Sequence, residues 1–364
     1  MKNIEIEYLD VSKLELTGQI SRETVRRFLN DNIGYDFSET NFKWEFEDIP
    51  IESVFLIAVD NKKIIGTQSF LPWIIMVNGA KVISAKSESS FLLPPYRGHG
   101  IFETMYKKGL SLCKEKGIKV IWGFTSATKV WRESLAFDVV ENNMYDFTLD
   151  FRQVTKFQKI AEAILKKIRI YRFINRLPRH VTKLIKTKKD YVIEDQVLEL
   201  TSLALIEKSF ITGNQNIELE LSEKYIKWRI LENPILNYRI MILKDKRNEI
   251  KASILYVPGE DNVIRISKIW FHSASDFRMI FNFLISWGRR YKYNSIYYFC
   301  NIENKVNYQF SEIILEKKGI ICKSAWANTV IKFIGEKEKI NERDILLKTQ
   351  NWYFDGLWTQ GFSI

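Results

Sequence analysis

Two stretches of the chain share one pattern of apolar and polar positions. Each is an apolar strand-like run, a charged turn and a second apolar run, which is typical of a β-hairpin, and they cover residues 53–70 and 238–257. A Lys-Trp pair precedes both hairpins, and a proline follows the tryptophan six residues later, as in Trp44 with Pro50 and Trp228 with Pro234. This recurrence predicts a tandem repeat whose copies begin in the same way.

The elements that follow each hairpin come in the same order. In the first copy the pattern predicts a strand at 80–93, a helix at 102–116, a strand at 118–124, a helix at 125–137 and closing strands at 138–151. In the second copy it predicts a strand at 263–272, a helix at 276–291, a strand at 295–300, a helix at 306–318 and closing strands at 319–334. Strands that alternate with helices indicate an α/β (α+β) fold, here with two mixed-sheet domains in tandem.

A basic segment separates the two copies. Residues 156–189 contain twelve Lys or Arg and one acid, Glu162, so the segment accounts for the whole net charge of +11. Its apolar residues have helical spacing, which predicts a basic amphipathic helix that ends near Pro178. We assign residues 1–153 and 191–364 to the two domains and 154–190 to a basic helical linker. We interpret the linker as a docked connecting helix, with contact to an anionic membrane surface or an anionic substrate as the alternatives.

Length and composition agree with two domains and exclude several classes of protein. A chain of 364 residues is longer than the roughly 250–300 residues at which single cores divide. Three scattered cysteines, Cys113, Cys300 and Cys322, form neither a disulfide framework nor a zinc site, and no metal is expected. No DNA-binding motif accompanies the basic charge. The sequence has no signal peptide and no run of ~20 apolar residues, so a cytoplasmic location is expected.

The strongest candidate for a ligand site is LLPPYRGHGIF, residues 92–102, between a predicted strand and a predicted helix. The N-terminus of a helix leaves backbone N–H groups unpaired and carries about +0.5 elementary charge, so it binds anions that can approach closely. Gly98 and Gly100 remove the side chains that would block this approach, and Arg97 adds a permanent positive charge. The loop is therefore suited to a pyrophosphate.

Together with the segments IKVIWGF and VWRESLAF, this loop resembles the acetyl-CoA-binding core of the GNAT superfamily of N-acetyltransferases. The signature of that family is Arg/Gln-x-x-Gly-x-Gly/Ala after a strand; Arg97 and Gly100 fit it, whereas Phe102 replaces the last Gly/Ala. The spelling RGxGIF and the segment NGAKVISAKSESS are similar to a bacterial branch often found among cell-surface polysaccharide and amino-sugar genes. The resemblance covers about residues 41–140 and, as architecture only, residues 225–334.

The resemblance implies a set of residues that bind coenzyme A. Arg97 and the backbone N–H groups of the loop would hold the pyrophosphate, the latter from Gly98, His99, Gly100, Ile101 and Phe102. The strand edge at Phe91, Leu92 and Leu93 would pair with the pantetheine arm. His99 stands where many relatives carry lysine, so we interpret it as a phosphate-side residue and not as a base. Thr125 and Ser126 replace a frequent asparagine, and their hydroxyls would reach the pantetheine or stabilise a helix start.

Acetyl transfer from a thioester needs a neutral amine, donors for the developing oxyanion and a proton for the leaving thiolate. Glu88, on the strand that would carry the thioester, is the candidate base, with an ordinary solvent-facing strand residue as the alternative. The tyrosine that often donates the proton in this family aligns with Arg132, and a guanidinium cannot give up its proton. Either Arg132 stabilises the thiolate by charge, or Tyr96, Tyr106 or a water donates the proton, or the thiolate leaves unprotonated.

The second copy lacks the Arg-x-x-Gly-x-Gly pattern, so we infer that it does not bind coenzyme A and instead encloses the acceptor pocket. Its aromatic residues would line that pocket or, for most of them, belong to the core: Trp228, Trp270, Tyr297, Tyr298 and Trp326. The aromatic tail at 351–364 is expected to be packed.

The predicted function is that of an acetyl-CoA-dependent N-acyltransferase with a small amine acceptor, such as an amino sugar or a nucleotide-linked amino sugar. One alternative is an aminoacyl-tRNA-dependent transferase of the peptidoglycan-bridge type, which has tandem GNAT-like halves. Another is a non-catalytic acyl-CoA-binding protein. The sequence leaves the acyl chain length and the oligomeric state open.

Overall fold

The computed structural model describes residues 7–13, 20–34, 36–141, 144–151, 185–188, 191–200, 203, 206 and 217–301, with 303–304, 308, 311–313, 316–317, 319–324, 328–334 and 343–358. The predicted basic helix lies outside the described residues, as do Trp326 and much of the predicted helix at 306–318. The domain boundaries at 153 and 191 therefore remain predictions. One described part of the predicted linker, Ile185–Lys188, is a strand and not a helix.

The helices are α1 Arg22–Ile33, α2 Glu39–Phe46, α3 Ile101–Glu115, α4 Thr128–Glu133, α5 Glu223–Ile226, α6 Ala274–Arg290 and α7 Arg343–Leu346. A π-helical turn, Lys227–Leu231, continues α5. No helix in these parts of the chain is long and apolar enough to cross a membrane.

The strands of the N-terminal part are β1 Glu7–Asp10, β2 Val54–Asp60, β3 Lys63–Val77, β4 Ala80–Leu92, β5 Val120–Thr125, β6 Asp138–Glu141 and β7 Met144–Asp150. Those of the C-terminal part are β8 Ile185–Lys188, β9 Tyr191–Val197, β10 Ile217–Leu219, β11 Arg239–Asp245, β12 Ile250–Pro258, β13 Val263–Phe271, β14 Ser295–Asn301, β15 Ile320–Lys323 and β16 Asn328–Phe333.

The two copies of the repeat begin with helices that are capped by equivalent serines. Ser38 caps α2 and Ser222 caps α5, and each hydroxyl accepts a hydrogen bond from a backbone N–H of the first helical turn. Trp44 and Trp228 lie six residues after their respective caps, so the repeat found in the sequence extends back to the cap itself. The hairpins that follow are β2–β3 and β11–β12, as predicted.

The strands form two mixed sheets, and each sheet contains strands from both parts of the chain. The first sheet has the order β1-β2-β3-β4-β5-β16-β6, with β10 also paired to β3, and the second has the order β15-β7-β14-β13-β12-β11-β9-β8. The pairs β4–β5 and β13–β14 are parallel. The sequence assigns β7 to the first copy and β16 to the second, but β7 lies between β14 and β15 and β16 lies between β5 and β6. Neither sheet is therefore built from one continuous half of the chain.

Helix α3 packs on the first sheet through one apolar stripe. Its buried residues recur at helical spacing, namely Ile101, Met105, Tyr106, Gly109 and Cys113. Gly109 permits close contact, because a Cβ at this position would lie 2.3 Å from the ring of Phe70 on β3. This packing fixes the N-terminus of α3 beside the end of β4.

Candidate active site

Strands β4 and β5 run side by side for only part of their length. Their parallel pairing is described for three residue pairs, Ser84–Val120, Ala85–Ile121 and Lys86–Trp122. Beyond that point β4 continues to Leu92, while β5 keeps its pairing with β16 on its other side. The edge of β4 after Lys86 is therefore available to an extended ligand, which can add to a free strand edge through main-chain hydrogen bonds.

This open part of β4 contains a β-bulge. Glu88 pairs with Ser69 and Phe91 pairs with Thr67, so β4 has one residue more than β3 between these pairs. Ser89, inside the bulge, takes the left-handed conformation with a φ of +51°. A bulge directs backbone N–H and C=O groups away from the regular hydrogen-bond ladder of the sheet. Here this occurs next to Glu88, the candidate base.

Three consecutive polar side chains of β3 hold the bulge. Their hydrogen bonds run from Thr67 Oγ1 to the Ser89 carbonyl (2.7 Å), from Ser69 Oγ to the Glu88 carbonyl (3.0 Å), from Gln68 Nε2 to Ser87 Oγ (2.9 Å) and from Ser90 Oγ to Gln68 Oε1 (2.6 Å). All three β3 side chains are fully buried. The sequence analysis missed them, although three polar residues in a row within an otherwise apolar strand were the available signal.

The glycine loop follows β4 and begins α3. After a 3-10 turn at Pro94–Tyr96, Gly98 and Gly100 adopt φ angles of +81° and +72°, in the left-handed region that favours glycine. Gly100 directly precedes the first helical residue, and no side chain caps the helix there. Arg97 folds back along the strand, with its Nε donating to the Leu92 carbonyl at 2.9 Å. The loop therefore presents an uncapped helix N-terminus beside a fixed guanidinium.

The predicted coenzyme A residues differ in their exposure to solvent. Leu92 and Ile101 are buried, and they anchor the two ends of the loop in the core. Phe91 is partly buried, and its ring lies 6.0 Å from that of Phe28 and 5.8 Å from the Arg97 guanidinium. His99 and Ser126 are exposed. Thr125 Oγ1 accepts a hydrogen bond from the Ala127 N–H at 2.9 Å, so its hydroxyl stabilises the turn before α4.

Glu88 is paired with a lysine that the sequence analysis did not select. Lys86 Nζ contacts Glu88 Oε1 directly, because residues two apart on a strand point to the same face of the sheet. The side chain of Lys86 is only 4% exposed and that of Glu88 is 19% exposed. The Lys86 ammonium also lies 5.6–6.0 Å from the ring centroids of Trp73, Trp122 and Phe124.

The candidates for protonating the leaving group lie in different surroundings. Arg132 is exposed on α4, a helix that packs against β6 and β16. Tyr96 donates to Asp60 Oδ2 at 2.7 Å, and this hydrogen bond raises the pKa of its hydroxyl. Tyr106 is fully buried on the opposite face of β4 from Glu88, where its hydroxyl donates to Ser87 Oγ at 2.9 Å. Burial holds the pKa of Tyr106 well above its usual range.

The equivalent helix of the second copy has a closed N-terminus. Ser273 caps α6 and accepts a hydrogen bond from the Asp276 N–H at 3.1 Å, and its hydroxyl donates to the Asp276 carboxylate at 2.5 Å. A capped helix start with a carboxylate in the first turn repels phosphate, because the amides are already partnered and the local charge is negative. This difference agrees with the inference that only the first copy has a coenzyme A loop.

The C-terminal tail fills the cleft between β13 and β14, the strands of the second copy that correspond to β4 and β5. Strands β13 and β14 pair only as far as Ile266 and Tyr298, and the tail packs against both strands. The Tyr353 hydroxyl donates to the Ile269 carbonyl at 3.0 Å, and a Cβ on Gly356 would lie 2.9 Å from the Ile266 carbonyl oxygen.

A buried ion pair holds the tail in this cleft. Asp355 Oδ2 lies 3.4 Å from Lys268 Nζ, and both side chains are almost completely buried. Burial raises the pKa of Asp355 to about 6, and the neighbouring Lys268 ammonium opposes this rise. The Asp355 carboxyl is therefore buried in the folded protein at a cost in solvation free energy.

Aromatic residues of the tail also pack against aromatic residues of β5. Trp358 lies 5.0 Å from Trp122 and Phe354 lies 5.0 Å from Phe124, measured between ring centroids. The expectation of a packed tail is confirmed for the described residues 351–358. Among the aromatic residues suggested for an acceptor pocket, Trp228, Trp270 and Tyr298 are buried and Tyr297 is partly buried.

Comparisons with known proteins agree with this architecture. The sequence model of an acetyltransferase (GNAT) domain matches residues 23–134. No curated protein sequence matches the chain. The structure is similar to that of a probable N-acyltransferase from Enterococcus faecalis V583, with 8% identity, a TM-score of 0.61 and coverage of 92% of this chain and 73% of that one.

Two further solved structures are similar to this one. A GCN5-related N-acetyltransferase from Anabaena variabilis ATCC 29413 has 13% identity and a TM-score of 0.58, over 91% of this chain and 73% of that one. A tandem GNAT protein from the clavulanic acid biosynthesis pathway has 8% identity and a TM-score of 0.56, over 92% of this chain and all of that one. The predicted fold class is confirmed: residues 23–134 match an acetyltransferase (GNAT) domain, and the chain has the fold of a tandem GNAT protein.

Proposed function

We propose that this protein is an N-acetyltransferase that takes its acetyl group from acetyl-CoA. The observation that carries the proposal is that the free edge of β4 leads directly into the uncapped N-terminus of α3. A ligand with a polar extended arm and a pyrophosphate matches both features, since the arm can add to the strand edge and the phosphates to the helix amides.

The donor roles follow the surface around the glycine loop. The backbone N–H groups from Gly98 to Phe102 hold the pyrophosphate, with His99 on the phosphate side and Arg97 supplying positive charge. The edge at Phe91, Leu92 and Leu93 pairs with pantetheine, and the exposed Ser126 hydroxyl reaches the same arm. Within the described residues, the second copy has no equivalent site, because Ser273 caps its helix start and the tail packs between its diverging strands.

The acceptor in this proposal is a small amine, with amino sugars and nucleotide-linked amino sugars as the first candidates. Glu88 takes the proton of the attacking amine, directly or through a water. The exposed Arg132 is the candidate cation for charge stabilisation of the thiolate. The second copy and the tail aromatics enclose the acceptor, and the basic segment at 154–190 is a connection that contacts, at most, an anionic acceptor or a lipid surface.

The test is mass detection of acetylated products from purified protein, acetyl-CoA and a panel of nucleotide-linked amino sugars, aminoglycosides, polyamines and peptides. Calorimetry with acetyl-CoA is run in parallel. A micromolar dissociation constant with transfer to one acceptor class supports the proposal. Binding without release of coenzyme A on any amine would instead identify a sensor, and transfer that requires charged tRNA would identify the peptidoglycan-bridge type.

A further inference from the structure

Acetyl transfer moves a proton as well as an acyl group, and the proposed function leaves the proton donor of the thiolate unassigned. The amine must lose a proton as it becomes an amide, and the departing sulfur gains one. None of Arg132, Tyr96 and Tyr106 has suitable surroundings. Arg132 cannot release a proton, Tyr96 donates its own proton to Asp60, and Tyr106, on α3, is fully buried and donates to Ser87.

Lys86 has the surroundings that a proton donor needs and that Arg132, Tyr96 and Tyr106 do not have. It is the last residue of β4 that pairs with β5, so its side chain lies where the two strands begin to diverge. It shares a face of the sheet with Glu88 and contacts that carboxylate directly. A lysine only 3% exposed, against three aromatic rings, is unusual, because lysine is almost never fully buried without a partner.

The length of β4 places this pair within reach of the reacting atoms. At about 3.3 Å per residue, Glu88 and Lys86 lie at most about 13 Å and about 20 Å along the strand from Leu92, and the bulge at Ser89 shortens both distances. A pantetheine arm that enters at the glycine loop and follows the strand edge extends over a comparable distance. The thioester at its end then lies beside the Lys86–Glu88 pair.

Resting on the proposed function, we propose that Lys86 is the general acid that protonates the thiolate of coenzyme A, and that Glu88 returns the proton to it. The amine nitrogen forms a bond to the carbonyl carbon, and the carbon–sulfur bond breaks. The proton of the amine passes to the Glu88 carboxylate, and the sulfur takes a proton from Lys86 Nζ. The Glu88 carboxyl then gives its proton to Lys86 Nζ across their contact, so the net result is one acetyl group from sulfur to nitrogen and one proton from nitrogen to sulfur.

Burial explains why Lys86 releases its proton at the right moment. While Glu88 is ionised, the two charges compensate each other in the protein interior. When Glu88 becomes neutral, the ammonium is left buried without its counter-charge, which is strongly unfavourable. Transfer of its proton to the thiolate removes both the uncompensated cation and the new anion.

The test compares Lys86→Arg with Lys81→Arg. Both substitutions keep the positive charge on β4, but Lys81 is an exposed residue that pairs with Glu220, so it controls for the exchange itself. We expect Lys86→Arg to bind acetyl-CoA within about threefold of the wild type and to lose ~10²–10⁴ in kcat, because arginine cannot act as the acid. The alkaline limb of the pH–rate profile should disappear in this variant; Glu88 is the charged group in contact with Lys86, and the other groups described against it are aromatic rings. Lys81→Arg should retain wild-type turnover.

The outcomes separate the two proposals. Wild-type turnover in Lys86→Arg, or an unchanged alkaline limb, would overturn the role of Lys86 and leave the acetyltransferase proposal standing. A parallel loss of acetyl-CoA affinity and kcat would also overturn it, since a structural effect would then suffice. If Lys86→Arg does not fold, Lys86→Gln is measured in the same way. Failure of the wild type to bind or consume acetyl-CoA would sink the proposed function itself.

Discussion

Trp44 and Trp228 form reciprocal hydrogen bonds between the two copies of the repeat. The indole N–H of each donates to the main-chain carbonyl of the other, at 2.8 Å in both directions, and the rings are stacked with their centroids 5.4 Å apart. These are the equivalent tryptophans of the two copies. The two copies of the repeat therefore contact each other through the same residue, and each tryptophan makes the same hydrogen bond to the other. The two halves are joined by side chains that the repeat itself supplies.

Removing either indole N–H should destabilise the whole chain. Trp228→Phe removes the buried hydrogen bond from the Trp228 indole to the Trp44 carbonyl, for which we expect a loss of about 1–3 kcal/mol in the free energy of unfolding. Trp44→Phe should lose a similar amount, because the contact is symmetric. Urea unfolding measures both, with Trp287→Phe on the partly exposed end of α6 as the control. Single variants as stable as the wild type would show that the tryptophan pair does not hold the halves together.

A side chain at Gly100 should prevent acetyl-CoA from binding. We expect Gly100→Ala to weaken binding at least about tenfold, or about 1.4 kcal/mol, because the new Cβ hinders approach to the helix amides. Gly117 is a matched control at the other end of α3: its φ is +75°, and, as at Gly100, a Cβ added there would have no atom within 4 Å. Gly117→Ala therefore carries a comparable backbone strain without touching the loop. Calorimetry that gives equal affinities for the two variants would refute the loop assignment.

Loss of the carboxylate at residue 88 should slow turnover much more than it weakens donor binding. For Glu88→Gln we expect kcat to fall by ~10²–10⁴ and the acidic limb of the pH–rate profile to vanish. Because the substitution leaves the buried Lys86 without a counter-charge, activity must be normalised to the folded fraction. Glu249→Gln, at an exposed hairpin, is the control. A Glu88→Gln enzyme with wild-type kcat would remove Glu88 from the mechanism.

The Lys268–Asp355 pair should give a characteristic dependence of stability on pH. The pKa of Asp355 is raised from 3.8 to about 6 in the folded protein, so the folded state holds a proton that the unfolded chain has already lost. The stability that this group contributes is complete below about pH 4 and is lost as the pH rises through 6. The loss in the free energy of unfolding caused by Asp355→Asn should therefore decrease by about 2–3 kcal/mol between pH 4 and pH 7.

Asp261 provides a control of opposite sign for this experiment. The hydrogen bond from Arg265 lowers the pKa of Asp261, so its contribution to stability is present at neutral pH and is lost as the pH falls. The loss in the free energy of unfolding caused by Asp261→Asn should decrease toward acidic pH, whereas the loss caused by Asp355→Asn should increase. Urea unfolding over this pH range measures both variants. The same trend in both would contradict the assignment of the raised pKa to Asp355.

Features encoded in short stretches can be predicted from the sequence. The glycine loop is recognisable because Gly98 and Gly100 adopt positive φ angles that few other residues tolerate, and helix α3 because its apolar residues repeat every three to four positions. The hairpins are recognisable because two apolar runs are separated by a charged turn. The tandem order is recognisable because the same sequence of elements follows each hairpin. Each element is encoded by its own residues and its flanking turns, and the tandem repeat becomes visible when two such segments are compared.

Features that depend on distant partners could not be predicted. The alternation in β7 and β16 indicates strands but does not say which sheet each one joins, since either sheet buries the same kind of face. The aromatic composition of the tail predicts that it is packed, but nothing local places Asp355 beside Lys268. Lys86 has no distinguishing pattern either, because its importance comes from Glu88 together with rings that β3 and β5 supply.

The exchange of β7 and β16 sets an order of events during synthesis. The N-terminal half leaves the ribosome first, yet the strand that separates β5 from β6 is encoded at 328–333. Until that segment emerges, the neighbouring edges of β5 and β6 have no strand between them, and such edges are prone to pair with other chains. The first sheet therefore cannot be completed until residues 328–333 have been synthesised, so a nascent chain halted before residue 328 should depend on chaperones to avoid aggregation.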